Sequence, residues 1–208
     1  MLSDIRDQYD GHGSTMVISG CIGPRGDGYV VGEAMSVAEA EAYHRLQIET
    51  LSRSDADMIS AFTMTNSEEA IGITRAARAA GIPAAISFTV ETDARLPSGE
   101  SLQGAIERVD SETDNGPVYF MINCAHPSHF DSVLDDAPWL QRIVVIRANA
   151  SVMSHAELDE AEELDDGNPD ELAHQYGALS HKLPNLNVVG GCCGTDHRHI
   201  DAIARACS

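Results

Sequence analysis

Met58-Ile59-Ser60-Ala61-Phe62-Thr63 is a short apolar run. Asn66-Ser67-Glu68-Glu69 follows it, and after Gly81-Ile82-Pro83 comes a second run, Ala84-Ala85-Ile86-Ser87-Phe88-Thr89. Each run has the length and composition of a buried parallel strand. The polar quartet between them supplies a helix cap and first-turn carboxylates, while the glycine and proline stop that helix. Strand, helix, strand is therefore the predicted order over 58–89. Strands joined by a helix must run parallel.

The same unit recurs outward in both directions. Further apolar runs occupy Thr15 to Ser19, Val118 to Asn123, Ile143 to Ala148 and Asn187 to Gly190. Ser36-Val37-Ala38-Glu39 is a capping box for a helix to about Arg53, and a weaker helix spans Leu102 to Val109. Another follows Pro127 and ends near Asp136. Asn168-Pro169-Asp170-Glu171 opens a helix to about His181, and Asp196 caps a last one to Ala206. Six β/α units in strict alternation predict an α/β fold, either doubly wound or a (β/α) barrel. In both, chemistry sits at the carboxyl ends of the strands.

The chain has 208 residues, 33 of them acidic and 13 basic, for a net charge of −20. Lys182 is the only lysine. With no basic stripe to displace counterions, the charge argues against nucleic acid and against anionic membranes. Salt would screen the self-repulsion of such a surface, so it suits either ordinary solubility or a salty cytoplasm. No apolar run reaches membrane-spanning length, and the start, Met1 to Asp7, lacks a signal-peptide core, which predicts a cytoplasmic protein. Five cysteines, an odd number, do not read as a disulfide framework.

The strand ends hold the chemistry. Gly20-Cys21-Ile22-Gly23-Pro24 follows the first run; its spacing and Pro24 exclude a dinucleotide fingerprint. Asn123-Cys124-Ala125-His126-Pro127 follows the fourth, and Gly190-Gly191-Cys192-Cys193-Gly194-Thr195-Asp196 follows the sixth. Neighbouring side chains in extended backbone point to opposite faces, so a cysteine pair flanked by glycines wastes packing unless the turn brings both sulfurs to one point. A third cysteine on another strand end can reach that point. Three converging thiolates fit zinc with an open position, and such an electron-rich ion suits thiol activation more than hydrolysis. A phosphate at the Gly194-Thr195-Asp196 helix start and a Cys192–Cys193 redox pair remain alternatives.

Together, Ile18-Ser19-Gly20-Cys21-Ile22-Gly23-Pro24, Ile122-Asn123-Cys124 and Gly190-Gly191-Cys192-Cys193-Gly194-Thr195 resemble the homocysteine S-methyltransferase family, in motif order and over essentially the whole chain. The resemblance implies a (β/α)8 TIM barrel, with the six visible units matching strands three to eight. Residues 1–208 would then form one barrel domain lacking its first two N-terminal units. It implies Zn2+ held by Cys124, Cys192 and Cys193, and substrate contacts from Asn123, Gly191, Thr195 and Cys21. It implies methyl transfer from an onium-type or methylated donor to a small-molecule thiol, homocysteine giving methionine. A homo-oligomer is compatible with such a chain. A non-catalytic zinc-binding protein of the same fold, and a barrel enzyme acting on a phosphorylated ligand, are the competing readings.

Where the family usually has Glu-Thr at the end of its fourth strand, this chain has Ala61-Phe62, which alters the amino-acid pocket. Cys21 stands where serine is typical and is expected to be packed. Of the histidines, His126 is the best candidate for a partner behind a metal ligand. The acidic stretch Glu157 to Asp170 reads as a solvated loop or a lid over the barrel mouth.

Overall fold

The computed structural model describes residues 1–11 and 15–207. Strands β1 (Ser19–Ile22), β2 (Met58–Met64), β3 (Ala84–Phe88), β4 (Phe120–Asn123), β5 (Ile143–Ala148) and β6 (Val188–Gly191) form one sheet in chain order. Every neighbouring pair is parallel. The helices are α1 (Leu2–Tyr9), α2 (Val37–Leu51), α3 (Ser67–Ala80), α4 (Leu102–Thr113), α5 (Pro127–Phe130), α6 (His155–Glu160), α7 (Pro169–Lys182) and α8 (His197–Ala206). No helix among the described residues is long and apolar enough to cross a membrane.

The sheet curls into a half-barrel. The Arg147 guanidinium of β5 lies 5.0 Å from the ring centre of Phe62 in β2, although β3 and β4 stand between them. A flat sheet would separate those strands by about 14 Å. This α/β architecture is that of an incomplete TIM barrel. On the convex side, alternate strand residues such as Ile59, Ala61, Ile86, Phe120, Ile122 and Ile146 bury against the helices. On the concave side Met58, Ala85, Met121 and Val145 form a smaller cluster with Phe62 and Tyr119.

The caps act as the sequence indicates. Ser36 closes a capping box with Glu39, Asn66 accepts from the Glu69 N–H, and Asn168 accepts from the Asp170 and Glu171 N–H groups. Gly72 is the point of closest approach between α2 and α3. A β-carbon there would lie 2.6 Å from the Glu41 nitrogen, so no larger residue fits without parting the helices.

Several boundaries differ from expectation. The first strand begins at Ser19, not Thr15, because Asp57 fixes the register. Its carboxylate accepts from the Ile18 N–H, its own N–H donates to the Ile18 carbonyl, and Ser19 then pairs with Met58. Gly20 and Cys21 therefore lie in the strand rather than in a loop after it. The sixth strand is shifted by one residue and ends at Gly191. The helix after Pro127 stops at Phe130 and gives way to short 3-10 turns at Asp131–Val133 and Pro138–Arg142. Helix α4 runs on to Thr113. The acidic stretch is not all loop: Ser154 and Glu157 close a capping box that starts α6. The opening segment forms α1, tied down by Arg6 to Asp57 and Ser3 to Asp55.

Tyr176 of α7 sets the spacing of the last two strands. Its fully buried hydroxyl accepts from the Ala148 N–H at 2.8 Å and donates to the Gly190 carbonyl at 2.5 Å. Burial pushes the phenol well above its ordinary pKa, so it remains a donor throughout the working pH range. Tyr176→Phe leaves two strand-end groups unpaired. The expected loss is about 1–3 kcal/mol, read as a fall in melting temperature of roughly 2–4 °C per kcal/mol.

Candidate metal centre

Cys124 directly follows β4, and Cys192 and Cys193 directly follow β6; both points lie at the carboxyl edge of the sheet. The curl brings them together. One sulfur from each of the three cysteines lies within 4.8 Å of the others. Cys124 and Cys192, 68 residues apart in sequence, are joined as a disulfide with Cα atoms 5.5 Å apart, while Cys193 is a free, exposed thiol. The Cys192–Cys193 pairing weighed as an alternative is therefore not formed. The bond runs across the barrel mouth instead, and it excludes simultaneous metal binding by both of its sulfurs.

Backbone bonds graft the two cysteine segments onto β5. The Cys124 N–H donates to the Arg147 carbonyl, the Cys192 N–H to the Ala148 carbonyl, and the Ala150 N–H to the Cys193 carbonyl. Cys124 itself sits in the left-handed region at φ 53°, a conformation that costs a non-glycine residue about 1–3 kcal/mol. Its carbonyl is clamped by three donors: His155 Nε2 at 2.5 Å, Asn149 Nδ2 at 3.1 Å and Thr89 Oγ1 at 3.4 Å. Asn149 is buried and bridges both segments, because its Oδ1 accepts from the Cys193 N–H at 3.1 Å.

Around this clamp lie residues with no signal in the sequence. Glu91 Oε1 is 2.9 Å from His155 Nδ1 and orients the ring. Tyr29 packs on His155 with centroids 4.1 Å apart and lines the same cavity as Cys193. Burial, then the Cys193 sulfur, pushes the Tyr29 hydroxyl up to about 12. It therefore stays a neutral phenol beside the cluster. Tyr29, His155 and Cys193 line a cavity of about 430 Å³ whose outer wall is the acidic segment, with Asp159, Glu162, Glu163 and Asp165. That volume is within the range of small-molecule sites.

The other residues singled out from the sequence have definite places. Asn123 is buried and ties three strands: its Oδ1 accepts from the Thr63 N–H and Ser87 Oγ, and its Nδ2 donates to Thr63 Oγ1. Gly191 gives room to Thr195, whose Oγ1 would lie 2.0 Å from a β-carbon there and donates to the Cys192 carbonyl at 2.8 Å. Gly194, at φ 78°, turns the chain out of the cluster. Cys21 is exposed on β1 and outside the cluster, not packed as expected, since strand alternation turns it away from the helices. His126 makes its hydrogen bonds to Ser128 and none to a cysteine among the described residues. Its Nδ1 caps α5 through Ser128, and burial, then His129, lowers it to about 4. At the start of α8 the Asp196 carboxylate already occupies the cap, accepting from the Arg198 N–H, which disfavours a phosphate there.

Comparison with known proteins identifies the family and the fold. The homocysteine S-methyltransferase family model matches residues 2–207. Homocysteine S-methyltransferase 1 of Brassica oleracea var. italica is 28% identical over 180 residues, covering 84% of this chain and 53% of that protein. Homocysteine S-methyltransferase 1 of Arabidopsis thaliana is 25% identical over 181 residues, with the same coverage. The chain thus spans about half the length of the curated relatives it matches. The oxidized form of the homocysteine methyltransferase MmuM from Escherichia coli superposes with a TM-score of 0.74 at 20% identity, covering 99% of this chain and 67% of that one. Its metallated form gives 0.70 at 19% identity, covering 98% and 65%. These superpositions establish the shared fold, and the family match over residues 2–207 establishes the lineage: the chain belongs to the homocysteine S-methyltransferase family.

Proposed function

We propose that the chain is a zinc-dependent S-methyltransferase that moves a methyl group from an onium-type or methylated donor to a thiol, homocysteine giving methionine. The observation that carries this reading is the convergence of Cys124, Cys192 and Cys193 within 4.8 Å at the carboxyl edge of the sheet. Three soft sulfur donors fit zinc or copper(I) and disfavour hard cations. Zinc bound there would hold an incoming thiol as its nucleophilic thiolate. We read the six units as the family's strands three to eight, within one domain over 1–208.

The chain's own residues then orient and screen. The carbonyl clamp of His155, Asn149 and Thr89 fixes the Cys124 segment, and the Tyr29 ring, packed on His155, walls the cavity beside Cys193. The acidic wall of the adjoining cavity favours a cationic donor. In the reaction a sulfur–carbon bond forms as the donor's carbon–onium bond breaks. The electron pair leaves with the donor, and the thiol proton is released on binding.

Protein prepared under reducing conditions without added metal should contain about one zinc per chain. It should also transfer labelled methyl from a sulfonium donor to homocysteine. Zinc-loaded, reduced chain that methylates no thiol with any onium or methylated donor overturns the catalytic reading. Metal content separates the reading from an enzyme acting on a phosphorylated ligand, which would carry no zinc.

A further inference from the structure

The six strands contain a single charged residue, Arg147, in a chain that carries 33 acidic side chains. Alternation places Arg147 on the concave side. Its neighbour Ala148 meets Tyr176 on the helix side, while Arg147 shares a face with Asn123, Ser87 and Phe62. The side chain stacks on Phe62 and donates from Nε to the Gly191 carbonyl at 3.3 Å. Nη1 and Nη2 have no hydrogen bond among the described residues, and no carboxylate pairs with the guanidinium. It is half-buried, and its terminal nitrogens are not among the sealed, unpartnered atoms, so they are open to a ligand.

A half-buried guanidinium held by its inner nitrogen, with its outer fork open, is arranged for bidentate capture of a carboxylate or sulfonate. Its place relative to the sulfurs is fixed by the backbone: the Arg147 carbonyl accepts from the Cys124 N–H, and its Nε bonds the residue before Cys192. Phe62 supplies an apolar surface under the guanidinium. No strand residue supplies a carboxylate for an ammonium group, and Glu91 is engaged with His155.

Building on the methyltransfer reading above, we infer that Arg147 is the specificity-determining residue for the acceptor. It takes a short thiol through its anionic end, so thiol acids that lack an amino group are substrates. The methyl donor's positive charge is met on the other side of the cluster, at the acidic wall.

The test compares four short thiols on reduced, zinc-loaded protein: homocysteine, 3-mercaptopropionate, uncharged 2-mercaptoethanol and cationic cysteamine. We expect kcat/KM for 3-mercaptopropionate to exceed that for 2-mercaptoethanol by about 10²-fold and that for cysteamine by more. Arg147→Met should raise KM for 3-mercaptopropionate about 10²-fold, leave kcat within a few-fold, and leave 2-mercaptoethanol unchanged. Arg147→Lys should recover part of the loss. A second arm uses calorimetry with the thioether product 3-(methylthio)propionate, which needs no turnover. Binding to wild type that is lost in Arg147→Met supports the inference even if methyl transfer itself fails. Equal use of anionic and neutral thiols, or an Arg147→Met defect that is the same for 2-mercaptoethanol, overturns it while leaving the methyltransferase reading intact. Absence of product binding to wild type also overturns it.

Discussion

Cys192→Ser, prepared under reducing conditions, is expected to lose its zinc and with it all methyl transfer. A four-ligand thiolate-rich site holds zinc by about 10–16 kcal/mol, so one ligand is worth roughly 3 kcal/mol, or about 10²-fold or more in affinity. Cys192 is only partly buried and serine is nearly isosteric, so the fold should survive. The loss should also appear in stability. At free zinc 1,000 times its Kd, binding stabilises the wild-type chain by about 4 kcal/mol. A chelator should therefore lower the wild-type melting temperature and leave that of Cys192→Ser unchanged. Elemental analysis and a melting curve decide the matter. One zinc per chain retained in Cys192→Ser would show that the three cysteines are not the ligand set.

Asn149→Ala is expected to damage the same centre without touching a sulfur. Asn149 is 2% exposed, and its amide spans the two segments that must meet. Truncation removes a donor from the Cys124 carbonyl and leaves the Cys193 N–H without its acceptor, at about 1–3 kcal/mol for each buried group abandoned. With Cys124 already in a left-handed conformation, the segment is free to relax away from the cluster. We expect a loss of about 2–4 kcal/mol in denaturant unfolding and a further 10- to 100-fold fall in zinc affinity. Asn149→Asp separates the two bonds. It keeps an acceptor for Cys193 but sets an oxygen against the Cys124 carbonyl. If both variants bind zinc like wild type, the bridge is packing alone.

Oxidation cuts across both results. The Cys124–Cys192 disulfide removes two of the three sulfurs from any metal. Preparations without reductant should therefore show low zinc and low activity that a thiol reductant restores. Cys124→Ser cannot form that bond and should show no such recovery.

What the sequence conveys is local. Alternating runs and caps, such as Asn66 before α3 and Asn168 before α7, identify the α/β class, because hydrogen-bond chemistry at helix ends is written in adjacent residues. The paired cysteines between glycines point to a metal centre for the same reason. The capping box Ser154 to Glu157 was equally legible, yet the density of acidic residues around it masks a helix start. Register and reach are different. Ser19 begins β1 because Asp57, 38 residues later, accepts from the Ile18 N–H, and no periodicity records that bond.

The neighbours of the sulfurs are also set by distant chain. Glu91 and Tyr29 come from separate loops and His155 from the start of α6. Asn149 acts on Cys124 and Cys193, which lie 25 and 44 residues from it. Arg147 reads in sequence as an interruption of an apolar strand. Strand alternation turns its charge to the concave side, but only the curl of the sheet sets it over Phe62. The sequence by itself determined the six strand–helix units, since these rest on residue type and short spacing, and it singled out three cysteines at strand ends; the curl of the sheet brings Cys124, 68 residues from Cys192, beside the pair. Tertiary structure decided which side chains clamp Cys124 and which aromatic ring lies under the Arg147 cation. Those depend on sheet curvature and on hydrogen bonds between segments that share no local pattern.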